Sequence, residues 1–249
     1  MYEQMNIYLT LKCNQRCAYC VNRHNLPKFR GDEYKLQSVE TWLSIINAVG
    51  LPVVITGGEP MLYPNLIPLV EQSPKNRPLN IYTNLTMDPS KLADVVSRPD
   101  TGLLVSYHPK TIALDKFMTH LAIMMRNPQF HGHVHIVDTP ENKDAIAELR
   151  SRWPANPRWL MTVAANQYKI PSIMLDGHVK RVNCMRSAIL VAPDGVRYPC
   201  VTRLLQRRGA LEDLKKEPLG VRPIQLRCDE CGQCSPCDVA STVSCTLVV

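Results

Sequence analysis

The chain has 249 residues, 45% of them hydrophobic and 20% charged, enough for one large globular unit and a small one. It contains no run of about eighteen apolar residues and no basic-then-apolar N-terminus, so neither a helical membrane span nor a signal peptide is expected and the expected location is cytoplasmic. The formal charge of +7 suits a small polar or anionic substrate. The densest basic group, Arg203, Arg207 and Arg208, lacks the aromatic company of a nucleic-acid surface, so nucleic acid is not the expected partner.

Apolar runs and helical patterns alternate through the first two-thirds. Strands are expected over 5–11, 52–56, 79–84, 102–107, 133–138 and 159–164. Helices are expected between them, over 38–49, 65–71, 89–97, 113–126 and 143–150. Ser38 and Asp88 read as N-caps, the second followed by Pro89 at the first helical position. Six such βα units imply an α/β fold with a parallel sheet and right-handed crossovers. The alternation stops at 166–176. A boundary drawn there gives a core over 1–170 and a small cysteine-rich extension over 171–249. Inside the extension, Asp194-Gly195 is a two-residue turn signal between extended runs.

Of the ten cysteines, three fall at 13–20, seven at 184–245 and none between. A disulfide scaffold would not leave so long a gap, and clustered C-x-x-C spacing points to metal. Cys13, Cys17 and Cys20 follow the first strand as C-x-x-x-C-x-x-C. Three thiolates at that spacing can hold three irons of a cubane cluster and leave the fourth open, because iron–sulfur clusters select soft ligands.

A second motif follows the second strand, about forty residues on: Thr56-Gly57-Gly58-Glu59-Pro60. The two motifs in this order resemble the radical SAM superfamily, and Tyr19, the aromatic before the third cysteine, fits the same pattern. The resemblance implies a partial (β/α)6 TIM-like barrel whose function sits at the C-terminal ends of the strands. It also implies a 4Fe–4S cluster on Cys13, Cys17 and Cys20, with the open iron chelating S-adenosyl-L-methionine. Gly57, Gly58 and Glu59 are expected at the methionine end of that cofactor. Asn84 and Ser106 are further cofactor-binding candidates, because they end the third and fourth strands.

Cys184 and Cys200, spaced by Gly195, resemble the opening of the SPASM and twitch extensions, which bind auxiliary 4Fe–4S clusters. One auxiliary cluster would use Cys184, Cys200 and two later cysteines. Two would divide the seven, for instance Cys228, Cys231, Cys234 and Cys245 against Cys184, Cys200 and Cys237. The second block is compressed relative to the family's spacing, so one or two clusters are both open. The other reading is a zinc knuckle on the C-x-x-C pairs.

Substrate residues are read from strand-end position. His108 after the fourth strand is a candidate base or substrate ligand, and Asp138 and Arg126 are candidates for holding a polar substrate. His131, His133 and His135 alternate along one strand face, read as a polar barrel interior rather than a metal site. Met124 and Met125 read as helix packing. The expected reaction is reductive cleavage of S-adenosylmethionine to a 5′-deoxyadenosyl radical that takes a hydrogen atom from a small polar substrate. An auxiliary cluster would accept an electron, as in the small radical SAM dehydrogenases of aminocyclitols, and a flavodoxin or ferredoxin-type protein would be the reductant. The alternative within the superfamily is peptide or protein modification: crosslinking, side-chain oxidation or epimerisation. The first strand begins within ten residues, which leaves no room for an N-terminal leader-binding domain on that reading. A non-catalytic iron–sulfur or zinc protein is the distant alternative, and it gives Gly57–Pro60 no purpose.

Overall fold

The computed structural model describes residues 3–20, 34–99, 101–164, 180–216, 225–231, 234 and 243–247. Six parallel strands come in chain order: β1 (Gln4–Thr10), β2 (Val53–Gly57), β3 (Leu79–Thr83), β4 (Thr101–Ser106), β5 (Phe130–Val137) and β6 (Trp159–Ala164). Each lies beside its sequence neighbour in the sheet. Helices α1 (Val39–Val49), α2 (Leu66–Gln72), α3 (Ser90–Val95), α4 (Leu114–Arg126) and α5 (Lys143–Ser151) intervene. Their apolar stripes pack with one face of the strands in a single core: Met5, Ile7 and Leu9, Val53 and Ile55, Leu103 and Val105, Val134 and Ile136, against Trp42, Leu69, Phe117 and Leu149. Successive neighbours with these five helices on one face coil a parallel sheet toward a barrel rather than a doubly wound sandwich.

The caps follow the sequence closely. Ser38 caps α1, accepting from Thr41 N, and Gly50 closes the helix at φ 74°. α3 starts at Ser90, one residue later than the cap read at Asp88 implies, yet Asp88 Oδ1 still accepts from Ser90 N at 2.9 Å. β5 begins at Phe130, three residues before the expected start. Phe130, Gly132, Val134 and Ile136 are the buried set, and the three histidines alternate with them.

The other strand face is the inner one. Its register runs Asn80, Gly102, His131 in one layer and Tyr82, Leu104, His133, Leu160 in the next. Ser106, His135 and Thr162 form the layer nearest the C-terminal ends. Gly102 leaves space here, since a Cβ on it would lie 1.9 Å from Asn80 Oδ1.

A separate antiparallel sheet joins β7 (Lys180–Arg186), β10 (Gln225–Cys231) and β11 (Val243–Leu247), with β7 in the centre. Between β7 and β10 the chain returns to the barrel. β8 (Ala188–Val191) pairs in parallel with β1, and β9 (Arg197–Tyr198) pairs antiparallel with β8, so the large sheet has eight strands. The turn expected at Asp194-Gly195 joins them, with Gly195 at φ 81°. α6 (Val201–Gln206) follows, and Leu204 and Leu205 cover Tyr8, Leu11, Leu190 and Tyr198 on the inner face. The boundary read at 166–176 lies outside the described residues. Residues 188–198, read as part of the extension, share the sheet of the barrel.

No helix among the described residues is long and apolar enough to cross a membrane.

Candidate active site

Both sequence motifs meet at the C-terminal ends of β1 and β2. Gly58 N donates to Thr10 O and Glu59 N to Lys12 O, each at 2.8 Å, so the root of the cysteine loop is laced to the end of β2. This contact explains the paired glycines. A Cβ on Gly57 would lie 2.1 Å from Thr10 O, and one on Gly58 would lie 2.1 Å from Lys12 O and 2.6 Å from Leu11 O. Gly57 also adopts φ 140°, which side chains disfavour.

Glu59 is 1% exposed, and its carboxylate is fully engaged. Oε1 accepts from Met61 N at 3.0 Å and Thr83 Oγ1 at 2.9 Å, and Oε2 accepts from Asn84 N at 2.7 Å. Burial raises its pKa despite these three donors, which pull the other way. The side chain thus braces the ends of β2 and β3 from within. Asn84 continues the brace. Its Nδ2 donates to Asn14 Oδ1 at 2.9 Å and approaches Cys13 Sγ at 3.9 Å, while its Oδ1 accepts from Thr86 N and Oγ1.

His108, after β4, closes on the cysteine loop from the other side. Its Nδ1 lies 2.9 Å from Tyr19 Oη and 3.5 Å from Cys17 Sγ, and the Tyr19 and His108 rings stack with centroids 5.7 Å apart. Burial pushes the imidazole pKa down to about 4, so the ring is neutral near pH 7. Burial also raises the Tyr19 phenol, partly offset by a hydrogen bond with Asn142.

Ser106 is half-buried beside His135 in the top inner layer, and Tyr107 N donates to His135 O at 2.8 Å. His135 is held below the usual imidazole pKa, first by burial and then by His133. Asp138 lies just past the end of β5, exposed, with its N–H on Ala164 O. Arg126 is a correction. It ends α4 and precedes β5, which puts it at the opposite rim of the barrel from the cysteines, because each helix runs back to the strand starts. Among residues the sequence did not single out, Asn14, Gln15, Thr83, Thr86 and Asn142 all touch this site. The only local signal was position beside a cysteine or a strand end.

In the second sheet, Cys184, Cys228 and Cys234 pack on a small buried cluster of Val182 and Cys231. Register puts Cys245 opposite Cys184 on β7. Cys200 sits at the N-cap of α6, accepting from Arg203 N at 3.4 Å. Cys237 lies outside the described residues. The described basic group is engaged: Arg207 stacks on Tyr34 and Arg208 pairs with Glu230.

Among the described residues, eight cysteines carry thiols rather than disulfides, and no three His, Cys, Asp or Glu side chains converge to hold a metal ion. The donor chemistry nonetheless fits a sulfur-ligated cluster. Three soft ligands sit on one loop at the strand ends, with amide groups of Gln15 and Asn84 beside two of them.

The cysteine loop thus stands at the C-terminal rim of a parallel partial barrel. Residues 7–108 match the family described as the Radical SAM superfamily. It is 34% identical over 106 residues to a probable GTP 3′,8-cyclase of Halobacterium salinarum, covering 40% of this chain and 29% of that protein. It is 31% identical over 74 residues to the GTP 3′,8-cyclase of Lactiplantibacillus plantarum, covering 29% of this chain and 22% of that one. The chain thus spans less than a third of the curated relatives it matches. A solved structure described as polyhistidine-tagged anSMEcpe with bound AdoMet shares the fold at TM-score 0.56 and 13% identity, over 88% of this chain and 76% of that one.

Proposed function

We propose that this chain is a radical SAM enzyme that abstracts a hydrogen atom from a small polar substrate held on the inner face of the barrel. The observation that carries the reading is the lacing of the cysteine loop to the Gly57–Pro60 turn at one rim. Cys13, Cys17 and Cys20 would hold a 4Fe–4S cluster, and the turn and strand ends beside them would receive S-adenosylmethionine. When bound, this pair supplies an electron and a 5′-deoxyadenosyl radical, chemistry that no side chain can furnish.

The chain's own residues do the rest. Glu59, Thr83 and Asn84 fix the rim, so the reacting groups need little reorganisation. The inner face offers Asn80, Tyr82, His133, His135 and Thr162, hydrogen-bonding groups that can orient a polar molecule. α6 and the apolar group around Tyr8 cover the β1–β8 side and keep water from it.

The cysteines of the second sheet, with Cys200, would hold an auxiliary cluster, which would supply an electron acceptor for a net oxidation. The division of the chain near residue 170 is part of the same proposal, amended so that residues 188–198 belong with the core sheet and the cysteine-bearing β7, β10 and β11 form the second unit. A second reading follows the GTP 3′,8-cyclase relatives: the substrate is a purine nucleotide and the outcome a cyclisation. The inner aromatic and imidazole groups suit a purine ring.

The test is anaerobic. Wild type and a Cys13/Cys17/Cys20→Ala variant are reconstituted, iron and sulfide are counted, and 5′-deoxyadenosine is measured after dithionite reduction. Cleavage lost in the variant with about four irons retained supports both sites, and about eight retained supports two auxiliary clusters. GTP-dependent 5′-deoxyadenosine formation selects the second reading. No cleavage by iron-loaded wild type removes both.

A further inference from the structure

Two side-chain amides lie against sulfurs of the N-terminal cysteine loop, and one of them is incompletely satisfied. Gln15 is 4% exposed. Its Oε1 accepts from Cys17 Sγ at 3.3 Å, while its buried Nε2 has no partner among the described residues. An amide N–H without an acceptor is an expensive thing to bury.

The oxygen and nitrogen of a primary amide exchange places by a half-turn of the last torsion. A thiol can donate S–H to Oε1. A cysteine bound to iron has no S–H and presents lone pairs alone. Facing it, the half-turned amide gives the sulfur a donor and the stranded N–H an acceptor in one movement.

Asn84 needs no such turn. Its oxygen is taken by Thr86 N at 3.1 Å and Thr86 Oγ1 at 2.6 Å, and its nitrogen donates to Asn14 Oδ1. The nitrogen is thereby fixed toward Cys13 Sγ at 3.9 Å. Both amides are buried, where a dipole acts with little screening.

We propose that Gln15 and Asn84 are positioning residues that donate N–H···S hydrogen bonds to Cys17 and Cys13 and raise the reduction potential of the cluster held there. This rests on the reading of the cysteine loop as a cluster site. One-electron reduction by an external low-potential donor adds a negative charge, part of which resides on the sulfurs. Two N–H dipoles aimed at those sulfurs stabilise the reduced form more than the oxidised one. The amides supply neither electron nor proton.

The experiment uses the full chain, reconstituted anaerobically, as wild type, Gln15→Leu, Gln15→Met and Asn84→Asp. Iron and sulfide per chain are counted first. The cluster signal that added S-adenosylmethionine perturbs is then followed by EPR during a dithionite-driven redox titration. The expected result is a full iron load with a lower midpoint in each variant. A tenfold loss in the reduction equilibrium reads as about 59 mV for a one-electron couple. The two Gln15 variants, similar in volume to glutamine, keep the test independent of Asn84's part in bracing the rim. Midpoints equal to wild type at full iron load overturn the proposal while leaving the cluster reading intact. A wild type without an S-adenosylmethionine-sensitive cluster overturns both.

Discussion

Glu59 Oε2 receives the backbone N–H of Asn84 at 2.7 Å, and through that contact the end of β2 grips the end of β3. Asn84 then reaches the cysteine loop through Asn14 and Cys13. The acidic residue of the second motif therefore acts on the first motif at one remove.

Glu59→Ala should strand Met61 N and Asn84 N and cost about 2–4 kcal/mol, read as a lower urea midpoint. Its titration carries a sign. Because burial holds the folded pKa above the ordinary 4.5, the carboxyl's contribution is fully present below that value and is lost as pH rises through the raised one. The stability of wild type relative to Glu59→Gln should accordingly decline as pH rises from about 4.5. A difference that grows with pH would contradict this.

Gly58→Ala should displace the cysteine loop, since the nearest atoms it meets, Lys12 O, Leu11 O and Lys12 C, are all backbone and cannot swing aside. Iron per chain after reconstitution should fall well below wild type. A normal iron load would show that the lacing is dispensable.

Gly132→Ala is the contrasting case. Its Cβ would come within 2.6 Å of the Trp159 ring and 2.8 Å of Leu103 O, away from the cysteines. Overpacking there should cost about 1–3 kcal/mol in unfolding while iron content holds.

Replacing Cys184, Cys228 and Cys231 together by alanine should remove about four irons per chain. Zinc lost instead of iron would assign the second sheet to a structural knuckle.

The strands and helices were legible because each amphipathic stripe is local. Ser38 announces its helix by residue type alone, and Asp194-Gly195 announces its turn. The parallel pairing of β8 with β1 was not legible, because its partners lie about 180 residues apart and leave no periodic trace. Gln15 was equally silent. Only the position of Cys17 Sγ beside its amide gives it meaning. Arg126 misled for the opposite reason: a charged residue near a strand looks available until the direction of its helix is known.

β1 has a parallel partner on each side, β2 and β8. A fragment ended near residue 170 would strip one of them away and bare a row of main-chain donors and acceptors, flanked by Tyr8 and Leu11. Such an edge is a template for copies of itself. Cutting the chain there would yield a sticky monomer that zips onto its neighbours beside the loop that has to stay open.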